Sequence, residues 1–455
     1  MNRIYLPLLV AMIGISCSKK STDQEQAANQ PKSTEEIHLS TVPDDSLLNR
    51  VQYETFQYFW ENGEPTSGLG RERTHMDNVY PDNDRNVVTT GGSGFGLMAI
   101  LVGIDRHFIT REEGYKRFNH IVNFLDTADR FHGAWPHWID GETGHVKPFG
   151  QKDNGGDLVE TAFLVQGLIA VREYFKDGNA DEKKLAAKID KLWKGVEWNW
   201  YTNNKDVLYW HWSPEYGWQM NFPVGGYNEC LIMYVLAASS PTYPIKPEVY
   251  HKGWARNGSI VSSEKYYDMD VVLDHYEHDP DPVGPMFWAH YSYLGLDPRH
   301  LKDKYADYWK LNQNHAMIQY KYAVDNPKHY PYYGQYVWGL TSSYSTSGYD
   351  AHRPTNDTGV ISPTAALSDF PYTPKESMNF LRYIYSPEAD SVIGKYGPYD
   401  AFDLQDHWML PRYLAIDQGP IPVMIENYRS GLLWKLFMQA PEVQKGLDKL
   451  GFTYK

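Results

Sequence analysis

Two kinds of helical segment alternate along this chain, and the alternation restricts the possible folds more than any other feature of the sequence. Apolar residues recur at spacings of three and four, which is typical of helices, and no run shows the strict alternation of a strand. The first kind of segment is amphipathic and charged, so these helices are expected to lie on the outside with one wet face. They span residues 46–62, 111–128, 181–201, 247–255, 301–324 and 373–386.

The second kind of segment is apolar on nearly every side, rich in small residues and opened by glycine or proline, so it must be buried. These segments span residues 91–104, 155–171, 225–239, 283–296, 359–370 and 418–437. Six buried helices alternating with six amphipathic ones predict an all-α (α/α)6 toroid, with an inner ring of parallel helices inside an outer ring running the other way. An α-solenoid would alternate similarly, but the sequence shows no repeat at a fixed period. We therefore expect a single domain over residues 44–455.

The N-terminal residues are not expected to belong to this domain. Residues 1–16 combine a short positive start with an apolar stretch of ten residues, too short to span a bilayer, and lead to Cys17. This pattern predicts a lipoprotein signal with the lipid on Cys17. The three residues before Cys17 lack the commoner leucine, so an ordinary cleaved signal is the alternative. Residues 17–43 predict a flexible tether, and we expect the protein to be anchored to the outer membrane, on its periplasmic or surface face, or to be periplasmic.

Composition argues against several kinds of partner. The net charge is −14 and no run of Lys or Arg exceeds two residues, so neither nucleic acid nor a polyanionic substrate is expected. Cys230 is the only cysteine besides Cys17, and it predicts a buried thiol, not a disulfide or a nucleophile. Ligands at zinc spacing are missing from the sequence. We expect a monomer without cofactor or metal, although an oxygen-ligated Ca²⁺ stays open.

Four carboxylic acids stand near the predicted openings of the inner helices, which in a parallel ring share one face. Asp157 and Glu160 lie three residues apart on one helix face, and they also fit an N-cap and capping box. Asp417 precedes the last inner helix and could cap it. Glu229 is predicted inside an apolar helix, where an unpaired carboxylate costs several kcal/mol or becomes protonated. A salt bridge is the alternative for Glu229.

A desolvated carboxyl with a raised pKa suits a general acid, and a second carboxylate across the pocket can activate water. A helix N-terminus favours the charged form by ~0.3–1 kcal/mol, but burial is the larger effect. Paired carboxylates in a neutral pocket indicate glycoside hydrolysis.

Aromatic residues make up 15% of the chain and cluster between the helices, where their rings can stack on sugars while polar neighbours bind hydroxyls. The clusters span residues 133–145, 207–223, 329–345 and 395–408. Arg353 could likewise bind sugar, or it could pair with Asp350 or Asp357. The predicted substrate-binding residues are Trp135, His137, Trp138, Asp140, Trp212, Tyr227, Asn228, Arg353, Tyr399, Asp400, Gln418 and Glu426.

Several stretches resemble the motifs of glycoside hydrolase family 144, glucoamylase-like bacterial proteins whose characterised members are endo-β-1,2-glucanases. The resemblance extends over about residues 45–452. The stretches are GGDLVETAFLVQGL, VGGYNEC, GVISPTAALSDFPYTPKESM, YGPYDAFD and YLAIDQGPIPVMIENYRSGLLW.

The resemblance implies an (α/α)6 fold and inverting hydrolysis of neutral β-1,2-glucan to sophoro-oligosaccharides. In GGYNEC, Glu229 matches the proton donor. Asp157 and Glu160 in DLVETA, with Asp417 in AIDQGP, match carboxylates associated with activity. We prefer Asp417 over Asp157 as the base, and a proton relay through water or a substrate hydroxyl stays open.

Three other functions compete with this one. The first is an exo-acting, glucoamylase-like glucosidase. The second is a non-catalytic glycan-binding lipoprotein, although binding a neutral sugar does not require acids buried at the helix openings. The third is a polysaccharide lyase on the same toroid, which would need basic residues that the candidate loops lack.

Overall fold

The computed structural model describes residues 38–78, 80, 84–275 and 283–455. The predicted signal (residues 1–16), Cys17 and most of the predicted tether lie outside these residues. Residues 38–455 form one compact unit. No helix in the described ranges is long and apolar enough to cross a membrane.

Helices dominate the described residues. The α-helices there are α1 Asp44–Trp60, α2 Thr90–Asp105, α3 Arg111–Thr127, α4 Leu158–Phe175, α5 Ala180–Lys194, α6 Leu231–Ser239, α7 Pro247–Val249, α8 Tyr308–Asp325, α9 Pro363–Leu367, α10 Pro374–Ile384, α11 Ala415–Gln418, α12 Pro420–Arg429, α13 Leu432–Met438 and α14 Pro441–Leu450. Single 3-10 turns span Asp84–Asn86, Trp200–Thr202, Arg256–Gly258, Met286–Ala289, Tyr291–Tyr293 and Asp390–Val392, and a π-helical turn spans Tyr250–Trp254.

The helices form an inner and an outer layer, which confirms the predicted (α/α)6 toroid. In the inner layer α2 packs on α4 and α12, α4 packs on α6, and α12 packs on α9. Outside them, α1 covers α2 and α12, α5 covers α4, and α10 covers α9. Gly94 and Gly167 let α2 and α4 approach closely, since a Cβ on Gly94 would lie 2.3 Å from the Phe163 carbonyl oxygen. The small residues of the buried segments therefore serve packing.

Local signals explain where the outer helices begin. Thr110 and Glu113 form a reciprocal capping box at α3, and Asn179 and Glu182 form another at α5. Asp307 accepts a hydrogen bond from the backbone N–H of Lys310 and starts α8 seven residues later than predicted.

The later inner segments depart from the prediction of continuous helices. Residues 283–296 form only the two 3-10 turns Met286–Ala289 and Tyr291–Tyr293, residues 359–370 contain only the short α9, and residues 418–437 are divided among α11, α12 and α13. Prolines at the starts of α9 and α12 restrict the residue before them, and Gly431 takes a left-handed φ of 69° before α13. Helix α14 was not predicted.

The expectation of no strands was wrong in detail, because short ladders shape the loops. They are β1 Arg73–His75, β2 Val87–Thr89, β3 Trp138–Asp140, β4 Val146–Lys147, β5 Gly156–Asp157, β6 Leu208–Tyr209, β7 His211–Trp212, β8 Pro223–Val224, β9 Lys265–Tyr266, β10 Met269–Asp270, β11 Ser342–Ser345, β12 Gly348–Ala351, β13 Ile393–Gly394, β14 Gly397–Pro398, β15 Phe402–Asp403, β16 Trp408–Met409 and β17 Arg412–Leu414. All pairings are antiparallel, with β2, β3 and β4 in one three-stranded sheet and β5–β7, β6–β8 and β11–β12 among the two-stranded ones.

Residues 38–43 belong with the folded unit, although their composition assigned them to the tether. The backbone N–H of Ser40 donates to the Arg382 carbonyl at 3.0 Å, and the Arg382 guanidinium donates to the Ser40 carbonyl at 2.7 Å. These bonds attach the segment to α10.

Candidate active site

A cavity of about 370 Å³ lies where the β6–β8 loops, the turn before α6 and the 3-10 turn at residues 286–289 meet strand β12. It contains three of the predicted site residues, Glu229, Asn228 and Arg353. Its lining comprises Trp210, Phe222, Pro223, Val224, Gly225, Asn228, Glu229, His275, Pro285, Phe287, Trp288, Ala351 and Arg353. The cavity therefore combines aromatic rings with an acid.

Glu229 lies in the turn that leads into α6 and not inside the helix, which corrects the sequence prediction. Cys230 is the residue before the helix, and the Asn228 side chain accepts its backbone N–H at 2.9 Å, which tightens the turn. The Glu229 carbonyl accepts a hydrogen bond from the Ser292 hydroxyl. Cys230 itself is a buried free thiol, as expected.

The Glu229 carboxyl has the environment of a general acid. Burial, with a smaller contribution from the charge of Glu160, raises its pKa from 4.5 to about 7. Among the described residues no basic side chain forms an ion pair with it, so the salt-bridge alternative finds no support there. The side chain is half-buried and reaches the cavity, so a sugar oxygen can approach the proton.

Asp157 is the N-cap of α4 and is completely buried. One carboxylate oxygen accepts the Glu160 backbone N–H at 2.8 Å. The other accepts the Trp210 indole N–H at 2.7 Å and lies 3.0 Å from His137 Nδ1. Because hydrogen bonds already use both oxygens, Asp157 is placed to orient its neighbours, and its link to Trp210 connects α4 with the cavity wall.

Three acids favour the charged form of His137. Burial lowers its pKa, but Glu160, Asp157 and Asp153 outweigh burial and raise it to about 9. Burial and Asp157 raise the pKa of Asp153 to about 7, and burial raises that of Glu160 to about 7 although His137 opposes it. Glu160 also accepts the Gly91 backbone N–H at 2.8 Å. Asp153, four residues before Asp157, was missed by the sequence analysis, although its spacing could have indicated it.

The same cluster offers ligand atoms of the kind that bind metal ions. One atom each from His137, Asp153 and Asp157 lies within 4.8 Å of the others. A nitrogen and two carboxylate oxygens could hold a divalent cation, so the expectation of no metal stays a prediction.

Asp417 and Asp400 form a second acidic site of two buried carboxyls whose charges influence each other. Among the described residues, Asp417 Oδ2 and Asp400 Oδ1 are buried without a hydrogen-bond partner. Burial and the charge of Asp400 raise the pKa of Asp417 well above its ordinary value. Burial raises the pKa of Asp400 to about 6, and the Tyr344 backbone N–H, 2.9 Å from Asp400 Oδ2, opposes the rise.

The charges of several candidate acids act on Tyr291, which the sequence analysis did not select. After burial, the charges of Asp417, Glu229 and Glu160 all contribute to raising the pKa of its hydroxyl. Its ring is held by Phe95 at 4.9 Å and by other aromatic residues. Three of the four predicted catalytic carboxyls therefore act electrostatically on one buried tyrosine.

Four predicted substrate-binding residues serve the core instead. Trp135 is 0% exposed and donates to the Leu125 carbonyl. Glu426 is also 0% exposed and binds the Arg106 guanidinium at 2.6 and 2.7 Å, and these bonds help to lower its pKa against burial. Gln418 donates to the Pro398 carbonyl, and Tyr227 bonds to His315 behind the cavity. Aromatic and acidic type does not reveal which way a side chain points, and the role of these four residues in substrate binding stays a prediction.

Four others lie outside the cavity lining. Asp140 accepts the backbone N–H groups of Glu142 and Thr143 and thereby shapes a turn. Trp138, Trp212 and Tyr399 are half-buried and contact other aromatic or basic side chains. The aromatic residues that do line the cavity include Trp210, two positions from the predicted Trp212 in the same segment.

The two helical layers and the acid-bearing, aromatic-lined cavity define an (α/α)6 toroid with a candidate glycan site. Residues 221–441 match a protein family described as "Putative glucoamylase". A solved endo-β-1,2-glucanase from Chitinophaga pinensis is 61% identical, with a TM-score of 0.89 over 91% of this chain and 99% of that one. The chain belongs to the glucoamylase-like proteins of glycoside hydrolase family 144.

Two comparisons from Parabacteroides distasonis are with longer proteins. A curated exo β-1,2-glucooligosaccharide sophorohydrolase acting at the non-reducing end is 45% identical over 96% of this chain, and the match spans 62% of that protein. A solved β-1,2-glucanase is 44% identical, with a TM-score of 0.84 over 90% of this chain and 60% of that one.

Proposed function

We propose that this protein is a glycoside hydrolase that cleaves β-1,2-glucan. The observation that carries the proposal is the Glu229 carboxyl, which has a raised pKa and opens into a cavity lined by Trp210, Phe222, Phe287 and Trp288. A carboxyl that stays protonated near neutral pH can protonate a leaving glycosidic oxygen. The activities of the relatives from Chitinophaga pinensis and Parabacteroides distasonis, named as β-1,2-glucanases and a β-1,2-glucooligosaccharide sophorohydrolase, support β-1,2-glucan as the substrate.

We propose that Glu229 is the general acid and that Asp417, paired with Asp400, is the base. As the bond between the anomeric carbon and the glycosidic oxygen breaks, the Glu229 proton passes to that oxygen. A water molecule gives a proton to the Asp417–Asp400 pair and attacks the anomeric carbon from the opposite face, which inverts the configuration. Asp417 suits the base role better than Asp157, because among the described residues its Oδ2 has no hydrogen-bond partner, whereas both Asp157 oxygens accept protein hydrogen bonds.

We propose an endo mode of cleavage. Of the endo-acting relative from Chitinophaga pinensis and the exo-acting relative from Parabacteroides distasonis, the endo-acting one is more similar in sequence to this chain. The match spans 99% of the endo-acting relative and 62% of the exo-acting one. Endo cleavage releases mixed sophoro-oligosaccharides and lowers the viscosity early, whereas exo cleavage at the non-reducing end releases mainly sophorose.

The test is to incubate the full chain with β-1,2-glucan, starch or a polyuronate and to measure reducing ends, unsaturated products and the product lengths. New reducing ends from β-1,2-glucan alone are expected, and NMR of the first product should show an inverted anomer. Glu229→Gln should abolish cleavage. Glu112→Gln, at a carboxylate with 75% side-chain exposure on α3, is the matched control and should behave as the parent. Cleavage of starch only, unsaturated products, or full activity of Glu229→Gln would each refute the proposal.

We propose that the chain is exported and anchored through Cys17, on the support of the N-terminal sequence alone. Labelling with a radioactive fatty acid should follow the parent and disappear in Cys17→Ser. If the parent takes up no label, the lipid anchor is refuted.

A further inference from the structure

A second pocket, of about 270 Å³, lies outside the candidate active site. Its lining comprises Glu197, Asn199, Trp200, Asn203, Asn204, Trp218 and Tyr243. The aromatic segment 207–223 contributes to both linings, because Trp218 lines this pocket and Phe222 lines the cavity. Trp210 of this segment lines the cavity, while the Trp212 ring stands edge-on to Trp200 at 6.1 Å.

Trp200 forms a rigid platform in this pocket. It is 40% exposed, although the His132 ring stacks on it with centroids 3.7 Å apart and an interplanar angle of 15°. His132 is held in turn by a 3.0 Å contact between its Nδ1 and the Glu197 carboxylate. A ring fixed on one side loses little freedom when a ligand binds. Tyr243, 39% exposed, offers a second ring.

The polar lining suits a neutral, hydroxyl-rich ligand. In the described part of the chain, the side-chain amides of Asn199, Asn203 and Asn204 form no hydrogen bond to protein. Each amide can both donate and accept, as a sugar hydroxyl requires. Asn203 and Asn204 have left-handed φ angles of 49° and 57°, which shape the turn beside Trp200. Of the lining residues, Glu197 alone carries a carboxylate, and its Oε2 contacts His132 Nδ1 at 3.0 Å.

We propose that this pocket is a second binding site for a neutral glucan chain, with a sugar ring stacked on Trp200. Its volume is close to the lower end of the ~300–1,000 Å³ usual for ligand pockets, so it fits a short stretch of chain. For β-1,2-glucan as the ligand, the inference rests on the proposed function. A polymer held here raises the local concentration of other stretches of the same chain at the cavity, whereas an oligosaccharide too short to reach both places gains nothing.

The test measures binding of β-1,2-glucan polymer by calorimetry, in a Glu229→Gln background that prevents turnover. We expect Trp200→Ala to weaken polymer binding by about fivefold and to reduce the number of short oligosaccharides bound per chain from two to one. Trp200→Phe, which keeps a ring, should retain most of the affinity. Tyr428→Ala removes an aromatic residue that is 46% exposed and lines neither pocket, and should bind as the background does.

The outcomes separate this inference from the proposed function. If the active parent cleaves β-1,2-glucan but Trp200→Ala keeps both affinity and stoichiometry, only the second site is overturned. If the parent does not cleave β-1,2-glucan but Trp200→Ala weakens binding of another neutral glucan, the proposed function fails and the second site stands. Circular dichroism and urea unfolding of Trp200→Ala, with Trp200→Phe as the milder variant, identify any loss caused by misfolding.

Discussion

Replacing Glu229 with glutamine should destroy activity and at the same time stabilise the folded protein above neutral pH. Glutamine keeps the size of the side chain and removes its proton. General acid catalysis contributes ~10²–10⁴-fold to a rate, so kcat should fall within that range or further. The gain in stability has a separate origin, namely the cost of holding a charge at the cavity wall.

The sign and size of the stability change follow from the raised pKa of Glu229. The folded protein binds this proton more tightly than the unfolded chain between pH 4.5 and about pH 7, so Glu229 makes stability fall as the pH rises through that window. Each pKa unit corresponds to about 1.36 kcal/mol, so the rise from pKa 4.5 to about 7 corresponds to ~3 kcal/mol. Because the side chain reaches the cavity and is partly screened by solvent, we expect about half, ~1.5 kcal/mol. The advantage of Glu229→Gln should therefore grow from pH 4.5 to pH 7 and then level off.

Urea unfolding of parent and variant at half-unit steps from pH 4 to pH 8.5 measures this difference directly. Glu426→Gln is an informative comparison, because the Arg106 guanidinium helps to hold the pKa of Glu426 below its ordinary value. Glu426 therefore stabilises the protein at pH values above its pKa in the unfolded chain, and this stabilisation is lost as the pH falls. The pH dependence thus has the opposite sign to that of Glu229. A difference between Glu229→Gln and parent that does not change with pH would refute the assigned environment of Glu229. A normal kcat would refute its role.

Further substitutions test the other parts of the site. Asp417→Asn should lower kcat ~10²–10⁴-fold. Asp400→Asn should move the acidic limb of the kcat/KM profile to lower pH, because the charge of Asp400 raises the pKa of Asp417. A limb that does not move would contradict this influence of Asp400 on Asp417. Glu426→Gln should lower the free energy of unfolding in urea by ~3–5 kcal/mol, because it breaks a buried ion pair. Its kcat/KM should stay within about twofold of the parent value. A large loss of kcat/KM would support the predicted role of Glu426 in substrate binding. Trp210→Phe keeps a ring in the cavity but removes the donor to Asp157, so kcat/KM should fall by about tenfold. Normal kinetics would show that this hydrogen bond does not matter.

The helical layers could be predicted from sequence because hydrophobic periodicity is a local signal. Helix α2 is buried along residues 90–104, and its segment is apolar on all sides. The same rule failed over residues 283–296, where apolar residues follow Pro285 into two 3-10 turns. Hydrophobicity shows that a segment is buried, but its hydrogen-bonding pattern also depends on prolines and on the neighbours it meets.

Residue type alone predicted the cavity-lining residues less reliably than hydrophobic periodicity predicted the helices. Trp135 and Glu426 are buried in the core, whereas Trp210 and Phe222 form the cavity wall. In an extended segment a shift of one residue reverses the side that a side chain faces. Sequence analysis could therefore identify the aromatic segment 207–223 but could not choose among its rings.

The acids show why candidate catalytic positions could be predicted while their chemistry could not. Glu160 belongs to α4, Glu229 to the turn before α6 and Asp417 to α11, yet the charges of all three act on Tyr291. The protonation of Asp417 depends on Asp400, which enters from the loop between β14 and β15. Each carboxyl has its position fixed by local sequence, but its pKa is set by partners from other segments that meet only when the inner helices assemble. A variant that disturbs this assembly should therefore change the pH dependence of activity even if every acid is kept.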